Sequence, residues 1–433
     1  MTLPHLHDRQ ERISNWNQQS LRGARVGVVG RDYAGAFLTW ALGSLGLGEI
    51  QWVGRPRQWT EPLARFLLAS PPPWGESAGL VYDFPFDIEF GTEIDWGLGG
   101  PLPQVLAVLT EHPQEQRLAL DWAHRRRVPA LVGSAAGTGW FGVSPPPEPR
   151  DAPQNPILAM IVAALMVDAL RELICPLPGG MLPPEGPLGL QQPVEPLQDV
   201  HVLQVGIGAI GVYSAVALAA ALGPRLHLRL WDFDHVDPTN LNRQGLFTTV
   251  DARQHAPKAH AALRGLGRLF PAVQITSEVR RLGPDDASRV ATLSPRPTAL
   301  LSAVDNAASR LTLQRLGQEL AIPVIQGGTS VFAADCYTQE AGGRSLDDQM
   351  HGALGAAVER EKQERAGRRR RGGCAADPSY IVPGLMAGAL IAYRLAQFGH
   401  DSGLPPIRWR SGGIPLESRS LSHVQYELDE ISV

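Results

Sequence analysis

Lysine is nearly missing from this 433-residue chain: Lys258 and Lys362 are the only two, while arginine, alanine, glycine and proline abound. Arginine supplies surface charge equally well, so a lysine kept inside a polar loop points to a task for a compact ammonium. Cysteine is scarce too. Cys175, Cys336 and Cys374 are too few and too scattered for a disulfide framework or a four-thiolate zinc site. Long apolar runs are also lacking: ILAMIVAALMV and VYSAVALAAALG are too short to span a bilayer, and MTLPHLHDRQERISNW holds no signal-peptide core. A cytoplasmic chain with no membrane partner is expected. A formal net charge of -4 gives no general electrostatic reason to bind nucleic acid. What remains is ordinary globular composition, 44% hydrophobic and 19% charged, in a chain long enough for two or three domains.

The chain repeats a plan. Ala24 to Gly54 and Val200 to Asp232 share a buried-type strand, a glycine turn, a small-residue helix and a second strand ending at a tryptophan. Both read as the opening βαβ of a doubly wound α/β domain. Each half closes on a proline followed by a long apolar helix, NPILAMIVAALMVDALRELI in one and YIVPGLMAGALIAYRLAQFG in the other. The expected division is a first domain over 1–174, a Pro/Gly-rich linker over 175–199 and a second domain over 200–433. Past Gly399 a short tail suggests a few small strands.

The halves differ where chemistry is expected. Gly206, Gly208 and Gly211 of VGIGAIG align with Gly30, Asp32 and Gly35, which puts a carboxylate where a backbone would approach a phosphate. The first half offers Val53 near the position of Asp232 and nothing like NLNRQ. It reads as having kept the fold and lost the nucleotide site. In the second half, the glycine turn and helix N-terminus suit an anionic phosphate, and Asp232 at the strand end suits ribose hydroxyls. Dehydrogenases share those two features. They have no use for the polar series that follows, Asn240, Arg243 and Lys258, which makes sense around a triphosphate. Asp305, ending the strand of LLSAVDN, sits at the carboxyl edge of the sheet as a natural Mg²⁺ anchor. Taken singly, Asp305 as a helix cap and Arg243 in a surface ion pair are equally good readings.

The GxGxxG turn, DFDxVxxxNLNRQ, a lysine shortly after and SAVDN resemble the adenylation domain of ubiquitin-activating enzymes and their ThiF–MoeB relatives, over roughly Val200 to Gly399. The resemblance implies two Rossmann-like ThiF-type domains, one inactive and one active, forming a pseudo-dimer within one chain. It implies ATP and Mg²⁺, with Asp232 on the ribose, Asn240, Arg243 and Lys258 on the phosphates, and Asp305 on the magnesium. HDRQERISNWNQQSLRGARVGVVG is similar to the opening of the inactive half of eukaryotic-type activating enzymes, so Arg9 would reach across into the active half. The implied reaction is adenylation of the C-terminal carboxylate of a ubiquitin-like protein.

GGCAADPSYIVPG resembles the family's cysteine segment, which makes Cys374 the implied nucleophile for a thioester, in a loop of about 340–380, before transfer to a conjugating enzyme. MoeB-like proteins carry two Cys-x-x-Cys pairs that this chain lacks, so no zinc is expected. The large cysteine domain and the ubiquitin-fold domain of eukaryotic relatives do not fit either. The compact build most resembles the activating enzyme of bacterial ubiquitination-like (Bil) antiphage pathways. Two alternatives stay open: an adenylating enzyme for sulfur transfer or peptide modification without a thioester, and a non-catalytic peptide-binding scaffold.

Overall fold

The structure, a computed structural model, describes residues 7–30, 32–53, 79–82, 102–147, 152–190, 199–283, 285–349, 352–371, 378–397 and 404–417. Two short helices, α1 (Asp8–Glu11) and α2 (Gln18–Arg22), lead into the first sheet. Its elements are β1 (Arg25–Val29), α3 (Tyr33–Leu45), β2 (Glu49–Val53), β3 (Gly79–Tyr82), β4 (Val105–Val108), α4 (Pro113–Arg126), β5 (Ala130–Ser134), β6 (Trp140–Gly142), α5 (Pro156–Ile174) and β7 (Gly186–Pro187). The strand order is β3-β2-β1-β4-β5-β6-β7, with β6 and β7 antiparallel and the rest parallel.

The second sheet uses β8 (Val200–Val205), α6 (Ala209–Leu222), β9 (Leu226–Asp232), α7 (Thr249–Arg253), α8 (Lys258–Leu269), β10 (Gln274–Val279), α9 (Asp286–Ala291), β11 (Ala299–Ser302), α10 (Ala307–Leu320), β12 (Val324–Thr329), β13 (Ala333–Gln339), α11 (Leu346–Gln349), α12 (Ala353–Arg371), α13 (Ile381–Gln397), β14 (Ile407–Arg410) and β15 (Leu416–Glu417). Its order, β10-β9-β8-β11-β12-β13-β14-β15, repeats the first sheet's plan, again with antiparallel strands on the far side of β12. The chain is therefore α/β with two Rossmann-like sheets. In each, the order reverses beside the first strand, the place where ligands bind in open α/β sheets.

Helices α5 and α13 are apolar almost all round, and such helices are stable only when covered on every side. They cover each other and are covered by α3 and α6, so one continuous core runs through both halves. Asn155 starts α5 by accepting from Ile157 N and Leu158 N, with Pro156 pre-set at the first helical position. Asp168 of α5 then reaches into the second half: it accepts from Ser411 Oγ at 2.7 Å and Gly412 N at 2.8 Å, beside its ion pair with Arg171 at 3.0 Å.

Within the expected linker, Gly186–Pro187 adds a short strand to the edge of the first sheet; residues 191–198 lie outside the described residues. The charged stretch EREKQERAGRRRR, Glu359 to Arg371, is helical, since α12 extends to Arg371. Among the described residues no helix is long and apolar enough to cross a membrane.

Candidate active site

The second glycine turn is built by contact. Gly206 has φ +93, and a Cβ there would lie 2.5 Å from the carbonyl oxygen of Ala303; a Cβ on Gly211 would lie 2.1 Å from that of Gly206. Both positions exclude any side chain. Gly208, the N-cap of α6, faces open space: among the described residues, its chain neighbours and the helix's own first turn aside, no atom lies within 4 Å of where a Cβ would stand. This leaves the start of α6 approachable by an anion. Asp232, ending β9, braces the turn: Oδ2 accepts from Ile207 N at 2.6 Å and Oδ1 from Asp234 N at 2.7 Å. Burial raises its pKa, against the charge of Lys258 and those two amides. Each carboxylate oxygen keeps acceptor capacity for a ribose hydroxyl.

The polar loop follows directly. Asp237 caps the short turn Pro238–Asn240, and Asn240 returns the bond through Oδ1, accepting from Asp237 N at 3.1 Å. Arg243 is buried, not on the surface; its Nη1 donates to Thr239 O at 2.6 Å and to Asn242 Oδ1 at 3.0 Å. Lys258, the first residue of α8, holds its ammonium 3.3 Å from Asp234. Across the turn, Asp305 lies two residues beyond Ala303 and is exposed, with Oδ1 accepting from Asn306 Nδ2 at 3.3 Å. The cap of α10 is Asn306, not Asp305: it accepts from Ser309 N at 2.8 Å, while Ala307 N donates to Glu361 of α12 at 2.7 Å. Asp305 is thereby left for another use.

Arg9 of α1 approaches from the first half. Its charge acts on both Arg243 and Asp237, and its carbonyl accepts from Ser379 N at 3.1 Å. Burial pulls the Arg243 guanidinium down to about 9, and Arg9 pulls the same way. Burial alone would raise Asp237, but hydrogen bonds from Thr239 and the charges of His255 and Arg9 outweigh it and hold its carboxyl below the usual range. Arg9 Nε is buried with no hydrogen-bond partner, and among the described residues no carboxylate forms a salt bridge with Arg9 or Arg243. Two guanidiniums brought together and left unpaired in a partly dry site call for an anion from outside.

Residues 186–392 match the ThiF family. That stretch is a ThiF family domain. The chain also aligns with named relatives over part of its length. Molybdopterin-synthase adenylyltransferase of Haemophilus influenzae is 34% identical over 134 residues, 31% of this chain and 52% of its own length. Sulfur carrier protein ThiS adenylyltransferase of Bacillus subtilis is 30% identical over 145 residues, 33% of this chain and 40% of its length. Ubiquitin-like modifier-activating enzyme 7 of Mus musculus is 38% identical over 93 residues, 21% of this chain and 9% of its length. The chain thus spans about half, or less, of the length of the curated relatives it matches.

The open start of α6 and the unpaired guanidiniums fit a polyphosphate. Among the described residues no group of three or more His, Cys, Asp or Glu is placed to hold a metal by itself. Asp305, an exposed carboxylate just past the end of β11, would be the residue to hold a Mg²⁺ ion, which would supply positive charge against phosphate oxygens. Cys175 is buried, its Sγ accepting from Asn17 N at 3.2 Å. Cys336 is a strand residue whose thiol burial pushes up to about 12, so it stays protonated and inert. Cys374 lies outside the described residues. Sequence reasoning missed Gln10, Trp40 and Glu361, none of which carries a motif.

Proposed function

We propose that the second half of this chain binds ATP and adenylates the C-terminal carboxylate of a small ubiquitin-like or sulfur-carrier protein. The observation that carries this reading is the buried Arg243, held without a carboxylate salt bridge among the described residues and within reach of the charge of Arg9, in the same half as a glycine turn open at Gly208. Attack by a carboxylate oxygen on the α-phosphorus forms the acyl-phosphate bond, breaks the bridging α–β P–O bond and releases pyrophosphate. Bringing two anions together costs energy that preorganised cations offset most where charge accumulates. Asp232 would take the ribose, Asn240, Arg243, Lys258 and Arg9 the phosphates, and Asp305 the Mg²⁺, whose charge further screens the phosphates.

In this reading the acyl group then passes to the Cys374 thiolate, releasing AMP, and from there to a conjugating enzyme, in a Bil-like antiphage pathway. A second reading stops at the adenylate. It is favoured by the names of the bacterial relatives, molybdopterin-synthase and ThiS adenylyltransferase. ATP–pyrophosphate exchange with the carrier protein encoded beside this gene, followed by a non-reducing gel of wild type and Cys374→Ala, separates them. Exchange in both proteins with a thiol-labile adduct only in wild type supports the two-step reaction. Exchange without an adduct supports the adenylate alone. A chain that neither exchanges nor binds ATP returns the site to a peptide-binding scaffold.

A further inference from the structure

Gln10 is wholly buried at the end of α1, and its two amide hydrogens have fixed destinations: Nε2 donates to Leu45 O at 2.9 Å and to Gln18 Oε1. Both acceptors belong to the first half. With its donors so committed, the amide can turn only one way, and its oxygen faces the second half, where it accepts from Asn242 Nδ2 at 3.1 Å. That bond in turn fixes Asn242, whose Oδ1 faces Arg243 Nη1 at 3.0 Å. Thr239 O takes the other Nη1 hydrogen. One edge of the guanidinium is thus held by protein. Among the described residues Nη2 and Nε have no protein acceptor.

A second first-half side chain brackets the same segment. Trp40 Nε1 donates to Gly245 O at 3.3 Å, and a Cβ on Gly245 would lie 2.4 Å from that nitrogen. Trp40 also meets Tyr213 edge-on, with ring centroids 5.5 Å apart. The segment Asn242–Gly245 is therefore gripped from the first half at both ends.

We propose that Gln10 is a positioning residue: through Asn242 it orients Arg243 so that the free edge of the guanidinium is presented to a phosphate. This rests on the nucleotide reading above. The first half then contributes more than the charge of Arg9, because it sets the direction of the second half's own cation.

The test is ATP affinity of the full chain by titration calorimetry for wild type, Gln10→Met, Arg243→Lys and the double variant, with melting temperature as the check on folding. Gln10→Met should weaken ATP binding about tenfold, the size of one Arg243–phosphate hydrogen bond lost through misorientation. On the Arg243→Lys background it should add little, because the group it orients is already gone. Asn242→Ala cuts the same relay from the other side and should reproduce the loss, which keeps the test available should Gln10→Met not fold. Equal losses on both backgrounds, or a lowered melting temperature with unchanged ATP affinity, would overturn the role of Gln10 while leaving the nucleotide reading intact. Absence of ATP binding in the wild type would overturn both.

Discussion

Gly35 and Gly211 do the same job in the two halves: a Cβ on either would come within 2.4 Å or 2.1 Å of the carbonyl oxygen of Gly30 or Gly206, so strand, turn and helix pack alike. What lies in front of the two helices is opposite. In the first half Asp32 stands where Gly208 stands in the second. Gln154 fills the space, with Oε1 accepting from Ala34 N at 2.8 Å and Nε2 donating to Leu109 O at 3.2 Å and Glu111 Oε1 at 3.1 Å. Glu111 also takes Ala135 N at 2.6 Å and the Ser134 hydroxyl. An anion arriving there would meet two carboxylates and a helix start already occupied. In the second half it would meet an open turn, Arg243 and Lys258. A turn of this shape is a scaffold; the charges around it decide whether it is a phosphate site.

The strongest way to break the comparison is to part the halves. Asp168→Ala removes the acceptor of Ser411 and Gly412 and one of the two carboxylates on the buried Arg171, the other being Glu172; the orphaned donors and the weakened pair together should cost about 3–5 kcal/mol in urea unfolding. Because one core runs through both sheets, a single earlier transition is expected, and two separated transitions would argue against a shared core. Next in size, Arg243→Ala should lower pyrophosphate exchange about 10²–10³-fold, the usual effect of deleting one preorganised donor. Asp32→Ala, at the first half's counterpart of Gly208, should leave exchange unchanged. Equal losses from the two would mean that the first half also handles nucleotide.

Much of this contrast was legible because its signals are local. A glycine turn between an apolar strand and a small-residue helix is a continuous pattern, and Arg243 and Lys258 stand out as cations inside a short polar loop. Gln10 and Trp40 were not legible, since their partners lie 232 and 205 residues away and neither residue type is unusual in place. Arg9 was singled out by resemblance alone, since an arginine in a short helix gives no sign of what it faces. The stretch running to Arg371 looks helix-like in sequence, yet a solvated loop is the commoner reading of such a charged run, for it has no apolar stripe. Its Ala, Glu, Lys and Arg are all good helix formers, and the Glu361 bond to Ala307 N supplies an anchor that composition cannot reveal.

A smaller effect concerns the plug itself. Gln154→Leu should cost about 1–3 kcal/mol, since Ala34 N is left buried without its acceptor. Restored phosphate binding is not expected, because Asp32 and Glu111 remain. The smallest effect is a pH dependence. Burial raises Glu111 above the usual carboxylate range, the charge of Asp32 adds to the rise, and bonds from Ser134, Ala135 and Gln154 oppose it. The folded chain therefore keeps a proton that the unfolded chain has released. Stability from this group is full below the ordinary glutamate value and is lost as pH climbs through the raised one. Gln at 111 carries no charge at any pH, so the stability of wild type minus that of Glu111→Gln, from urea midpoints, should fall as pH rises through that window. A difference that stays flat or rises would mean that the hydrogen bonds, not burial, govern Glu111, and that an ionised carboxylate is at ease in the first half's pseudo-site.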